Sequence, residues 1–333
     1  MARLRTVSPA TRGWTRRRAG RGFVYLDADG SRLPAEDVER IRSLAIPPAW
    51  SDVWICPVPN GHIQAVGTDV AGRRQYLYHP DWRTKRDAAK FDRVLGAASR
   101  LPAARKRVLG DLAAEGMPMN RAAAAAVRLL DLGYFRIGND AYTEDNGSFG
   151  LTTLERQHVR RKGDVIVFCF VGKSGIEHCI EIDDSAAIEA LERMRRRRSA
   201  SKRLLAYQDS RRWADLDAAT VNAYLRELLG GEMTAKDFRT WHATVLAAVA
   251  LRASSEPGDT KASRRRAVKA AVEEVASYLG NTPTIAKSSY IDPRVLDRYE
   301  SGATIDVDPS RFRSPERRQA AIERAVLALL SPS

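Results

Sequence analysis

The chain has 333 residues, 44% of them hydrophobic, enough for two domains with cores of their own and too long for one average domain. Its 55 Lys and Arg against 41 Asp and Glu give a formal charge of +14, which points to a polyanion, because each cation set on a phosphate releases a condensed counterion. No apolar run approaches the roughly 20 residues of a membrane span, and Cys56, Cys169 and Cys179 are too few and scattered for a zinc site or a disulfide framework, so they read as reduced, buried thiols.

Residues 1–21 hold seven arginines and no acid. They read as a flexible basic arm, a composition shared with organelle-targeting peptides; the lack of an apolar secretory core favours a cytoplasmic protein. Short strands are expected at 23–26, 53–58, 63–66 and 75–78, separated by turns at Asp27-Ala-Asp-Gly30 and Pro59-Asn-Gly61 and by one helix over 35–44. A linker is expected at 81–85, and helix dominates beyond it. Helical runs are predicted over 85–99, 121–132 (N-capped by Asn120 and ended by Gly133), 184–198, 218–229, 235–252 and 261–279, the last stopped by Gly280. Arg195 to Arg198 reads as a solvated helix end. One hairpin interrupts the helices, with strands 164–171 and 176–182 around Gly172-Lys-Ser-Gly175. The fold class is therefore α+β: a small β-rich N-terminal domain (1–84) and a large, mainly helical domain (85–333) carrying a hairpin.

Familiar site signatures are missing. Gly172-Lys173-Ser174 resembles the end of a phosphate-binding loop, but Val167 stands where that loop needs its first glycine. Five scattered histidines offer no metal spacing, and no dense acidic cluster suggests magnesium. Phosphate chemistry would have to rest on protein cations. Arg136 lies just past a helix end, Arg239 in the first turns of a helix, Lys173 at a hairpin tip and Tyr290 after a small, polar stretch. Singly, each has an ordinary structural explanation.

Together, the order Arg136, Lys173, Arg239, Asn281, Tyr290 resembles the active-site order of the type IB DNA topoisomerases. The strings Phe135-Arg-Ile-Gly138, Gly150-Leu-Thr-Thr-Leu154, Phe170-Val-Gly-Lys173, Lys236-Asp-Phe-Arg239 and Ser289-Tyr-Ile-Asp-Pro-Arg294 fit the same family, as do Ile46-Pro-Pro-Ala-Trp50 and Gln75-Tyr-Leu-Tyr78 in the N-terminal third. The resemblance implies a monomeric, nucleoid-associated enzyme without metal or ATP, closing on double-stranded DNA as a C-shaped clamp. Tyr290 would be the nucleophile, forming a 3′-phosphotyrosyl link, and Lys173 the general acid. Arg136, Arg239 and Asn281 would hold the nonbridging oxygens. Gln75, Tyr76, Tyr78 and Tyr142 would touch DNA, although strand packing explains Tyr76 and Tyr78 almost as well. One residue departs from the pattern. Viral and eukaryotic members carry histidine where this chain has Asn281, whose amide can donate a hydrogen bond but carries no charge; a cap after Gly280 is its other reading. A tyrosine recombinase is the rival enzyme class, weakened by Lys236 at its usual histidine position and by the strands of the N-terminal third. A basic DNA-binding protein without activity is the other alternative.

Overall fold

The structure is a computed structural model that describes residues 3–140, 143, 147–231, 233–254 and 260–331. The chain divides into two units, Met1–Lys90 and Phe91–Ser333.

The first unit is a five-stranded antiparallel sheet, ordered β2-β1-β3-β4-β5, built from β1 (Trp14–Ala19), β2 (Gly22–Leu26), β3 (Ser51–Ile55), β4 (Ile63–Thr68) and β5 (Arg74–Tyr78). Helix α1 (Ala35–Ser43) adds Ile41 to a small core of Ile46, Val53, Ile55 and Ala65. Strand β1 corrects the expected flexible arm. Arg16 is half-buried, its guanidinium donating to the carbonyls of Ile46 (3.2 Å), Pro47 (2.6 Å) and Trp50 (2.9 Å) and lying 4.1 Å from the Phe23 ring centroid. Such contacts give a basic segment a fixed partner that composition cannot reveal.

The expected linker at 81–85 is also corrected, because α2 runs unbroken over Pro80–Ala98. Pro80 opens the helix, where its missing N–H costs nothing, and His79 Nδ1 accepts from the Asp81 N–H at 3.1 Å. Helices α3 (Leu101–Leu112) and α4 (Met119–Gly133) follow. The alanines of α4, buried from Ala122 to Ala126, leave room for neighbouring helices to approach closely. Asn120 lies inside α4; the extended residue before the helix is Pro118.

Three antiparallel strands come next: β6 (Val159–Lys162), β7 (Val165–Val171) and β8 (Glu177–Ile182), in that order. Ile166 and Phe168 root this sheet in the helical core. Cys169 and Cys179 correct another expectation. They face each other across β7 and β8, half-buried and exposed respectively, with Cα atoms 4.3 Å apart, and are joined in a disulfide; only Cys56 is a buried free thiol. The remaining elements are α5 (Ser185–Arg196), the hairpin β9 (Ala206–Asp209) and β10 (Arg212–Asp215), α6 (Ala218–Leu229), α7 (Ala235–Ala253), α8 (Lys261–Leu279), α9 (Pro283–Ser289), α10 (Pro293–Glu300) and α11 (Pro315–Leu330). Helices α3, α5, α6 and α7 all pack on α4. Past α5, Arg197 is buried and donates to the carbonyls of Met194, Leu204 and Arg203. It ties a loop together and is no part of a solvated helix end. Arg105 of α3 makes paired bonds to Asp131 of α4 (2.7 and 2.8 Å) and Glu323 of α11 (2.6 and 2.8 Å), fastening the C-terminal helix to the core. No helix among the described residues is long and apolar enough to cross a membrane.

Candidate active site

Four of the five residues singled out from the sequence meet where helices end. Helix α4 ends at Gly133, and Tyr134 takes a left-handed conformation (φ 54°) that turns the chain sharply. Phe135 then plugs into the core against Phe168 and Phe170. The next two carbonyls are held by a separate loop: Arg136 O accepts from Leu151 N–H (2.7 Å) and Ile137 O from Thr152 N–H (2.8 Å). With its backbone held, Arg136 donates from Nη2 to Asn281 Oδ1 (2.7 Å) and Gly280 O (3.2 Å).

Arg239 comes from the start of α7, which is set by a reciprocal cap. Thr234 N–H and Oγ1 bond to Asp237 Oδ2 at 2.9 and 3.0 Å. Two turns of helix-forming sequence then bury Phe238 and Arg239 together. The Arg239 guanidinium donates to Tyr134 O (2.5 Å) and Leu279 O (2.8 Å). Burial, reinforced by the like charge of Arg136, pulls its pKa down to about 10, while the Tyr290 side chain opposes that shift. Arg239 therefore stays cationic at neutral pH.

Tyr290 follows α9. Its ring centroid lies 5.4 Å from the Arg239 guanidinium carbon. Its main chain is tied at both ends, since Tyr290 N–H bonds Ala286 O (3.0 Å) and Asp292 N–H bonds Thr244 Oγ1 (3.1 Å) on α7. One helix thus supplies Arg239 and anchors the Tyr290 segment.

Asn281 follows Gly280, whose left-handed conformation (φ 59°) closes α8. Arginine offers only donors, so the amide oxygen must face Arg136, leaving the NH2 group over. That nitrogen is buried without a partner, and so is Nε of Arg239. An unpaired buried donor ordinarily costs about 1–3 kcal/mol. The free amide NH2 beside two cations makes a site suited to an anion.

Lys173 is exposed at the turn between β7 and β8. Its turn meets the end of α8 through His178 of β8, which neighbours both Gly172 and Gly280. His178 escaped the sequence reading, because cross-strand pairing alone brings it to the site. In the first unit, Tyr76 and Tyr78 lie exposed on edge strand β5, their rings stacked 6.0 Å apart. Gln75 points to the other face, bonded to Asp69 at 2.9 Å. Tyr142 lies outside the described residues.

Cations, an amide and a phenol gathered at helix ends make a cluster suited to an anion beside a hydroxyl group. Comparison with known proteins carries the assignment further. The model of the eukaryotic DNA topoisomerase I catalytic core matches residues 79–305, and that of the bacterial DNA topoisomerase IB N-terminal domain matches residues 22–69. DNA topoisomerase 1B of Acanthamoeba polyphaga mimivirus is 29% identical over 299 residues, covering 87% of this chain and 88% of its own length. DNA topoisomerase 1B of Vaccinia virus (strain Copenhagen) is 22% identical over 250 residues, 73% of this chain and 74% of its own. The chain belongs to the type IB DNA topoisomerase family and is by that membership an isomerase.

Proposed function

We propose that the protein relaxes supercoiled duplex DNA by cutting one strand through Tyr290, allowing rotation and resealing the strand, without nucleotide or metal. The observation that carries this reading is the convergence of Arg136, Arg239 and the unpartnered Asn281 amide nitrogen on the segment that holds Tyr290. Donors held in place before substrate arrives stabilise developing charge without reorganising.

Each residue then has a task. A phenol attacks phosphorus well only where positive charge stabilises its oxygen, and Arg239 is the cation beside Tyr290. Tyr290 gives its phenolic proton to solvent as its oxygen attacks a backbone phosphorus in line, forming the O–P bond and breaking the bond to the 5′-oxygen. Arg136, Arg239 and Asn281 hold the nonbridging oxygens as charge builds. The departing 5′-oxygen takes a proton from Lys173 acting as general acid. The phosphotyrosyl ester keeps the bond energy, so religation is the reverse attack by the 5′-hydroxyl. The basic N-terminal unit contributes grip on the phosphates, and Tyr76 and Tyr78 contact the groove or sugars.

The test is relaxation of positively and negatively supercoiled plasmid in EDTA with no nucleotide. Both should relax, and Tyr290→Phe should abolish relaxation and the protein–DNA adduct while leaving noncovalent binding nearly intact. A strict need for magnesium or ATP, or an adduct that survives Tyr290→Phe, refutes the mechanism.

A further inference from the structure

Two glycines in this fold open onto one imidazole. Gly172 directly precedes Lys173, and Gly280 directly precedes Asn281. A Cβ on Gly172 would lie 2.6 Å from Cδ2 and 2.7 Å from Nε2 of His178; a Cβ on Gly280 would lie 2.8 Å from its Cε1. The ring therefore fills the space between the lysine turn and the end of α8. Gly280 has a second reason to be glycine in its positive φ, but Gly172 sits at φ −95°, a backbone open to any residue. Only the ring forbids a side chain there. Opposite His178 in the β7–β8 register is Phe170, whose ring stacks on the imidazole with centroids 5.4 Å apart and in turn packs on Phe135, the plug beside Arg136. Burial first, then the charges of Arg136 and Arg239, keep the His178 pKa below its ordinary value of 6.5. The ring is neutral at pH 7 and adds no third positive charge to the cluster.

We infer that His178 is a positioning residue for strand cleavage: its ring holds the Lys173 turn in register with Asn281 and Arg136. The inference rests on the reading of Tyr290 and Lys173 given above, and deepens it. Lys173 is exposed on a short turn, so a proton donor there needs a rigid contact to be presented to the leaving oxygen. A shift of about 1 Å in a catalytic group costs on the order of 100-fold in rate.

The experiment is single-turnover cleavage of a short duplex by full-length protein, with an ordinary 5′-oxygen or a bridging 5′-sulfur at the scissile phosphate. His178→Ala should slow cleavage of the oxygen substrate by roughly 10- to 100-fold with noncovalent affinity unchanged, and His178→Phe should restore most of the rate. The sulfur substrate, whose thiolate leaves without a proton, should recover the His178→Ala loss as it recovers that of Lys173→Ala. His178→Ala combined with Lys173→Ala should be no slower than Lys173→Ala alone. Gly172→Ala misaligns the same contact with the histidine present, so the sulfur comparison on that variant decides the matter if His178→Ala does not fold. Additive losses, or equal defects on the oxygen and sulfur substrates, overturn the role of His178 while leaving the wild-type reaction standing. A wild-type protein with no Tyr290-dependent adduct overturns both readings together.

Discussion

Replacing Asn281 by alanine and by aspartate separates two jobs that its amide can do. The oxygen accepts from Arg136 at 2.7 Å, and the NH2 group is buried without a partner. Alanine removes both. Loss of one preorganised donor to a developing oxyanion costs about 10²- to 10³-fold in rate, about 3–4 kcal/mol. Aspartate keeps an oxygen for Arg136 at nearly the same position, so the arginine stays oriented. The atom left over becomes a carboxylate oxygen, which cannot donate and repels the phosphate. Two like charges about 4 Å apart at an effective dielectric near 20 interact by about 4 kcal/mol, which the two neighbouring guanidiniums partly offset. Single-turnover cleavage followed on denaturing gels should rank wild type above Asn281→Ala, and Asn281→Ala above Asn281→Asp. Thermal melting should show Asn281→Asp as stable as wild type. If Asn281→Asp cleaves as fast as wild type, the NH2 group donates nothing to phosphate and the residue serves Arg136 alone.

Lys173→Ala should slow cleavage by about 10²- to 10⁴-fold, and a 5′-bridging sulfur should recover most of it; equal defects on both substrates would make Lys173 a phosphate binder. Tyr76→Ala with Tyr78→Ala should weaken duplex binding in filter or fluorescence titrations yet leave the cleavage rate at saturation unchanged, since their strand holds none of the clustered residues; unchanged affinity would remove them from the DNA contact. Arg105→Ala removes the paired bonds to two buried carboxylates, leaving Asp131 the longer Arg128 contact (3.5 Å) and Glu323 the bonds from Trp241 and Gln319, and should cost about 3–5 kcal/mol in urea denaturation. Burial alone would raise the Asp131 pKa, but Arg105 holds it below 3.8. Its stabilising contribution is therefore full above the unfolded carboxylate value and is lost as pH falls below about 4. Acid titration of stability should show that loss in wild type and a flatter slope in Arg105→Ala.

The sequence carried the helices with apolar periodicity and clear stops, such as the one ended by Gly280, and the local motifs around Arg136, Arg239 and Tyr290. It carried little that depends on pairing across the chain. Arg16 reads as part of a loose arm until the carbonyls of Ile46, Pro47 and Trp50 are seen around it. Cys169 and Cys179 look scattered until the β7–β8 register sets them opposite each other. Asn120 has the composition of a cap, but the extended Pro118, two residues earlier, is the residue that opens α4. Helix α3 is absent from the expectations although Leu101, Ala104, Val108 and Leu112 recur at helical spacing. At the site, the sequence supplied which residues to consider. It could not show that Asn281 turns its oxygen to Arg136, nor that His178 reaches the glycine before it.

The anchors of the two arginines are mostly main-chain atoms. Arg239 is held by the carbonyls of Tyr134 and Leu279, and Arg136 by that of Gly280 beside the Asn281 side chain. Every amino acid supplies a carbonyl, so these bonds do not depend on which side chains stand at 134 and 279; those are constrained by packing instead, Leu279 in the core and Tyr134 against His242. A substitution at either position then reaches the arginines through the course of the backbone, and one that keeps the buried packing leaves them held. What these two bonds require of residues 134 and 279 is therefore a path, and only indirectly a side chain.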